Sequence, residues 1–245
     1  MATLTVYPNP LTSVDGYVRR SGSNITFSDI RDGAGTGSNY TDSDANIARL
    51  QANTSTDRYQ VMQRAIILFD TSPLTAAATI SAGVLSLFGQ DAVANLGTAG
   101  FECDIVASTP ASDTVLADSD YAQLGLTVFS SIAYASFQVE AYNDFTLDAN
   151  GITNITKEGI SKFGGRGDWD LNNSFGGSWG SGLNSNFLVY TADQTGTDND
   201  PKLVVTYTIV VGPANLKTYN TNLAANIKSI NTNLLANIKS LNTNV

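Results

Sequence analysis

The amino-acid sequence predicts an all-β fold: an antiparallel two-sheet β-sandwich of jelly-roll type, followed by a short C-terminal segment of helical repeats. Up to Thr208, short runs of alternating apolar residues are separated by clusters of Gly, Asn, Asp, Ser and Thr, which is the pattern of strands and turns. Hydrophobic residues make up 42% of the chain, enough to fill a core. After Gly212 and Pro213 the pattern changes to a repeat. We therefore predict a β-domain at 1–211 and a repeat tail at 212–245.

The β-domain divides into short elements. We predict strands at residues 4–7, 15–20, 45–52, 60–69, 80–88, 102–107, 142–147, 161–165, 186–191 and 202–211. Short helical turns are predicted at 118–123 and 150–157. Residues 64–70 form a continuously apolar run, which favours a central strand, and we expect the link at 71–79 to cross between sheets. Many short strands joined by polar loops favour a sandwich over a parallel α/β fold.

The tail repeats almost identically from Asn215, Asn226 and Asn237. Its apolar residues recur in steps of three, four and four, which places them on one stripe of a helix. A single stripe must be covered by a partner, so the tail predicts a homo-oligomer, with a trimer favoured. The predicted oligomerisation residues are Leu216, Tyr219, Leu223, Ile227, Ile230, Leu234, Ile238, Leu241 and Val245.

Three structures are compatible with the tail. Each repeat contains Asn-Thr-Asn, whose side chains compete with helical hydrogen bonds, so a lone helix would be marginal in water. The first alternative is a continuous helix in a parallel bundle. The second is a series of short helices capped by Asn222 and Asn233. The third is an extended segment that orders only on a partner.

Composition excludes several classes of function. The formal net charge of −9 argues against a nucleic-acid partner, and no apolar run is long enough to insert into a membrane. The sequence contains no His, which excludes Ser-His-Asp and Cys-His triads and the usual zinc sites. The single Cys103 is predicted to be buried and structural. Carboxylate pairs could cleave glycosides in principle, but nothing in the sequence places two of them together, so the prediction is no enzyme.

The core strands resemble a known family. Residues 64–74, 80–88 and 200–207, together with the opening 15–18, are similar to motifs of the DNRLRE-type, carbohydrate-binding-module-like β-sandwich family, in the variant found among phage and environmental-virus structural proteins. The resemblance covers most of residues 14–208. It implies a non-catalytic, surface-displayed jelly-roll module, often associated with calcium and polysaccharide.

Together, the resemblance and the tail predict a non-enzymatic structural protein of the virion surface, such as a decoration, fibre or spike protein. Its expected partners are copies of itself, other virion proteins and surface polysaccharide. The N-terminal residues lack the charged and apolar regions of a secretory signal, which favours a virion component over a secreted adhesin. The alternative is a cell-surface or secreted polysaccharide-binding module or adhesin.

Two sets of residues are candidate ligand sites. Asp15, through the family's early Asp, and the loop residues Asp198 and Asp200 predict a structural calcium site, because calcium binds oxygen ligands from loops; solvated turns are the alternative. Trp169 and Trp179 lie among Gly and Asn residues, where exposed aromatic rings could stack on sugars. The alternative is that both Trp side chains pack into the β-domain.

Overall fold

The computed structural model describes residues 1–209, and these residues are mostly strands, which confirms the all-β prediction. The tail at 212–245, its boundary and its nine predicted oligomerisation residues lie outside the described residues. The strands are β1 (Ala2–Val6), β2 (Asp15–Ile25), β3 (Gly37–Asn39), β4 (Asp44–Ala52), β5 (Tyr59–Asp70), β6 (Ala78–Ala94), β7 (Glu102–Ala107), β8 (Ser130–Ala133), β9 (Tyr142–Thr146), β10 (Ile160–Gly167), β11 (Asn184–Tyr190) and β12 (Lys202–Ile209).

Three short helices and two 3-10 turns connect the strands. The helices are α1 (Phe27–Asp32), α2 (Ala149–Asn154) and α3 (Asp168–Leu171), and the 3-10 turns are Asp118–Ala122 and Tyr134–Ser136. Helix α1 begins where Thr26 accepts a hydrogen bond from the backbone N–H of Asp29, at 3.1 Å, as an N-cap. No helix within residues 1–209 is long and apolar enough to cross a bilayer.

The strands form a large curled antiparallel sheet in the order β1-β12-β6-β11-β4-β5-β10-β7-β8, with β2, β3 and β9 joined beside this path. Strand β6 connects the two parts of the sheet, because it is hydrogen-bonded to a different strand in each half. Its residues 84–88 pair with β9, and its residues 89–94 pair with β11. The all-β prediction therefore holds, whereas a division into two separate sheets is not confirmed by the hydrogen bonding.

Strand β5 is the central strand, as its apolar run predicted. Ten of its twelve residues are buried, and it pairs with β2 along one edge. On its other edge it pairs first with β4 and then with β10. Residues from β5, β10 and β11 join one hydrophobic core, in which the rings of Phe101 and Phe187 stack at 4.6 Å. Helix α1 and the 3-10 turn Asp118–Ala122 contact β2, and α1 also contacts β5.

Element boundaries differ from the sequence prediction where long-range contacts decide them. Strand β6 continues past residue 88, where its predicted range ends, through Gly89 to Ala94. A side chain at Gly89 would come within 2.1 Å of the Gln138 carbonyl oxygen, so this close approach requires Gly. The predicted helix at 150–157 ends at Asn154. Strands β3 and β8 and helices α1 and α3 were not predicted, because they are short and polar and their partners are distant in sequence.

Candidate functional site

The partners of β5 change halfway along its length, and charged side chains gather at this junction. Residues 59–64 pair with β4, and residues 65–70 pair with β10. Arg64 is the last β5 residue before the change, and Arg166 follows Gly165, the last β10 residue that pairs with β5. Helix α3 begins directly after β10 and supplies Asp170.

Asp170 binds both arginines. The Nε and Nη2 groups of Arg64 donate to its carboxylate at 2.8 and 2.7 Å, and the same groups of Arg166 donate at 2.8 and 2.7 Å. Both pairs are therefore bidentate, the strongest geometry for an arginine and a carboxylate. All three residues are at most 5% exposed. One buried carboxylate thus compensates two guanidinium charges.

A third arginine brings the local charge to a net positive value. The Nε group of Arg31, at the end of α1, donates to the backbone oxygen of Asp170 at 2.5 Å, and its Nη1 group pairs with the carboxylate of Asp32. Three arginines therefore face two aspartates, which leaves one excess positive charge. The whole chain, in contrast, carries a formal net charge of −9.

Tyr121 connects this cluster to the surrounding loops. The Arg64 guanidinium lies 3.9 Å from the centre of the Tyr121 ring and donates from Nη1 to the Tyr121 carbonyl oxygen at 2.6 Å. The Tyr121 hydroxyl donates to the backbone oxygen of Ile30 at 2.7 Å. These contacts fix α1 and the 3-10 turn Asp118–Ala122 against β5. We call Arg31, Arg64, Tyr121, Arg166 and Asp170 the arginine cluster.

The arginine cluster supplies fixed charge. Burial alone would raise the pKa of Asp170, but the charge of Arg64 and the hydrogen bonds from Arg64 and Arg166 outweigh it and lower that pKa. Burial lowers the pKa of Arg64, but the charge of Asp170 raises that pKa by more than burial lowers it, so the net shift is upward. Neither group exchanges a proton near neutral pH. The arrangement therefore favours binding or structural support over acid–base catalysis.

A surface pocket of about 230 Å³ opens onto this cluster. Its volume lies below the range of about 300–1,000 Å³ that is typical of pockets for drug-sized ligands, so it suits a small chemical group. Leu126, 61% exposed, contributes an apolar wall. The lining includes Arg31, Asp32, Arg64, Tyr121, Leu126 and Arg166.

Trp169 lies in the core. It is 3% exposed, its ring stacks on Phe101 at 4.8 Å, and the edge of Phe175 approaches at 4.9 Å. Its indole N–H donates to the carbonyl oxygen of Ala99 at 2.8 Å. The structure therefore corresponds to the alternative in which Trp169 packs into the β-domain, and its ring has no face open to a sugar.

Trp179 is half-buried and packs against the edge of the core. Its indole N–H donates to the carbonyl oxygen of Arg58 at 3.0 Å, which fixes the ring orientation. Trp179 is thus the one of the two predicted sugar-stacking residues that keeps part of its ring accessible. Its role in ligand binding stays a prediction.

Asp15 and Asp200, two of the three predicted calcium ligands, lie near one another, together with Asp193. Burial, followed by the charges of Asp193 and Asp200, raises the pKa of Asp15 to about 7, although a hydrogen bond from the Ala192 N–H opposes the shift. Asp198 is exposed, and its backbone oxygen accepts from the Tyr142 hydroxyl at 2.8 Å. Among residues 1–209 no group of three or more His, Cys, Asp or Glu side chains has the spacing of a metal site. Calcium binding stays a prediction.

Asp104, like Asp15, is a buried carboxyl group with a raised pKa. It is 2% exposed, accepts a hydrogen bond from the Ser131 hydroxyl, and has one oxygen without a partner in the described part of the chain. Burial raises the pKa of Asp104 to about 7, and the charges of Asp168 and Glu102 add to the shift, while the Ser131 hydrogen bond opposes it. Asp104 is therefore protonated more readily than an ordinary surface carboxyl group.

Sequence reasoning did not identify the arginine cluster. Arg64 is the first residue of the apolar run 64–70, and a charged residue next to such a run indicates a buried ion pair. Its position could therefore have predicted that Arg64 has a buried acidic partner. Its partner Asp170 lies 106 positions away, and no spacing pattern connects the two.

Comparisons with known proteins leave the family open. The chain matches no known protein-family model, and no curated protein is significantly similar to it in sequence. The resemblance of residues 14–208 to the DNRLRE-type family therefore stays a prediction.

Proposed function

We propose that this protein is a non-enzymatic structural protein of a virion surface, a decoration, fibre or spike protein, which displays its β-domain through an oligomerising C-terminal tail. The observation that carries the proposal is the set of eleven-residue repeats that begin at Asn215, Asn226 and Asn237, which follow β12 in sequence. Their apolar stripe has the spacing of a helix that must be covered by a partner.

The topology of the β-domain supports display from one end. The first and last described strands are hydrogen-bonded neighbours, with Ala2 opposite Tyr207 and Val6 opposite Leu203. The tail follows β12 in sequence, so the proposed display attaches the β-domain through the end of β12.

The mechanism of the proposal is avidity. A tail that joins three copies converts the second and third contacts with a surface into intramolecular events, which can raise the overall affinity by about 10²–10⁴-fold without any new contact. The expected partners are copies of the same chain and other proteins of the particle, and the expected ligand is a surface polysaccharide.

Sizing of the full chain by analytical ultracentrifugation tests the assembly step. We expect a trimer for the natural sequence and a monomer for the double variant Ile230→Asp and Leu234→Asp, because two charges would then lie on the apolar stripe. The matched control is Ser229→Asp with Thr232→Asp, which adds the same charges off the stripe and should stay trimeric. A natural chain that sediments as a monomer would refute the proposal.

Mass spectrometry of purified particles tests the location. We expect peptides of this chain to co-purify with particles at a fixed ratio to the main capsid protein, and to persist after a high-salt wash. Their absence from particles, together with their presence on cell surfaces or in the culture medium, would favour the second candidate function.

That second candidate is a polysaccharide-binding module or adhesin, and the half-buried Trp179 with its fixed ring favours it. Glycan-array binding by the full chain tests it. We expect Trp179→Ala to abolish binding and Tyr7→Ala, which removes a 44% exposed aromatic ring at the end of β1, to leave it unchanged. Equal binding by both variants would contradict a role for Trp179.

A further inference from the structure

The pocket over the arginine cluster combines three properties of an oxyanion site. It is small, its wall carries guanidinium groups, and its local charge is positive in an acidic protein. The arginines are also held in place before any ligand arrives, because Asp170 and several backbone carbonyl groups fix them. Such preorganised donors lose little conformational entropy on binding.

The guanidinium groups keep hydrogen-bonding capacity. Arg64 donates from Nε and Nη2 to Asp170, to the Arg31 carbonyl oxygen and, at 4.0 Å, to the Met62 sulfur. Its Nη1 group carries two N–H groups but has a single acceptor among the described residues, the Tyr121 carbonyl oxygen, so one N–H stays available. Arg166 donates from Nη1 only at 3.2 Å and beyond, to Gly125 and Leu124. These long contacts can be exchanged for a better acceptor.

The Asp32 carboxylate is an oxyanion of the chain itself that already binds an arginine of this pocket. Its carboxylate pairs with Arg31 at the rim, and its side chain is 55% exposed whereas that of Arg31 is 14% exposed. Because the Asp32 carboxylate is largely exposed, water screens its attraction to Arg31, so an incoming anion can displace it. Asp32 therefore occupies part of the volume in which a ligand carboxylate, sulfate or phosphate would lie.

We propose that this pocket binds the oxyanion group of a small acidic ligand through Arg31 and Arg166, in competition with the Asp32 carboxylate. Asp170 positions these donors, because its backbone oxygen accepts from Arg31 and its carboxylate accepts from Arg166. Arg64 donates to the Arg31 carbonyl oxygen and so helps to hold Arg31 in place. Leu126 provides the apolar wall for the part of the ligand next to the charged group. The site does not depend on assembly of the tail, so its test is independent of the test of the proposed function.

Isothermal titration of the full chain tests this proposal, with acetate, sulfate, phosphate and glucuronate as probes at constant ionic strength. We expect saturable binding of at least one probe. The comparison among probes separates a carboxylate, on its own or on a sugar ring, from a sulfate or phosphate group.

Three variants locate the site. Arg31→Gln should weaken binding at least about tenfold, which corresponds to about 1.4 kcal/mol, because a charge-assisted hydrogen bond to the anion is lost. Asp32→Asn should strengthen binding up to about fivefold, because the internal competitor is removed. The control Arg19→Gln removes the same charge from an exposed position outside the pocket lining and should leave affinity within about twofold.

Two results would overturn the proposal. One is the absence of saturable binding of every probe by both the natural chain and Asp32→Asn. The other is equal weakening by Arg31→Gln and Arg19→Gln, which would show that only the overall charge matters. Urea unfolding of each variant shows whether it is folded, and Arg31 is chosen because it is more exposed than Arg64 and Arg166, whose side chains are both 4% exposed.

Discussion

The substitution Asp170→Asn tests whether the arginine cluster holds the β-domain together. Asn has the same shape as Asp but keeps only one acceptor oxygen, so two of the four hydrogen bonds from Arg64 and Arg166 are lost. The two buried guanidinium groups also lose their shared counter-charge.

The size of the effect follows from these contacts. Two hydrogen bonds to charged groups, at about 1.5–3 kcal/mol each, give a loss of about 3–6 kcal/mol. Removal of one partner of a buried ion pair costs about 3–5 kcal/mol, which is the same range. We therefore expect the free energy of unfolding to fall by about 3–5 kcal/mol, a large part of the total of about 5–15 kcal/mol for an ordinary domain.

Equilibrium unfolding in urea, followed by tryptophan fluorescence, measures this change. The matched control is Asp168→Asn, the same substitution on the same helix at a half-buried position, where the carboxylate accepts from Asn172 Nδ2 at 2.5 Å. The control should lose less than about 1 kcal/mol. Equal losses in the two variants would refute the reasoning, because burial and the two arginines would then make no difference.

The pH dependence of the same measurement is a second check on Asp170. Its pKa is lowered on folding, so its contribution is present above the unfolded pKa of about 3.9 and is lost as the pH falls through the folded value. The difference in stability between the natural chain and Asp170→Asn should therefore shrink below about pH 4. A difference that stays constant down to pH 2 would contradict the lowered pKa.

Two further predictions concern pH and packing. Burial raises the pKa values of Asp15 and Asp104 to about 7, so the folded chain holds protons that the unfolded chain releases above about pH 4. Stability should therefore fall as the pH rises from about 4 to about 7 and level off above that. The double variant Asp15→Asn with Asp104→Asn should flatten this slope in urea unfolding; an unchanged slope would assign it to other groups. A side chain at Gly165 would lie 2.2 Å from Ile47 Cγ2 in the core, so Gly165→Ala should lower the free energy of unfolding by about 1–3 kcal/mol. The control Gly125→Ala should lower it by less than about 1 kcal/mol, because the added carbon meets its nearest atom, the Ala107 carbonyl oxygen, at an ordinary contact distance of 3.5 Å.

The local sequence pattern was sufficient to predict the strands whose own residues indicate that they are buried. The run 64–70 identified the central strand β5, because a continuously apolar run favours burial on both faces of a strand. The predicted range 102–107 coincides with β7. The eleven-residue repeat and the absence of His are also properties of the sequence alone. They determine which partners and which chemistry are worth testing, whatever the fold.

The arginine cluster and the fate of each Trp were decided by the tertiary structure. Arg64 and Asp170 are 106 positions apart, and they meet because β4 and β10 diverge along β5 and α3 follows β10 at that point. Trp169 is buried because Phe101 and Phe175 enclose its ring, although its Gly-rich surroundings looked like an exposed loop. Alternation along a strand reports which residues face inward, but the identity of the neighbours depends on pairing between distant segments, and no local pattern encodes that.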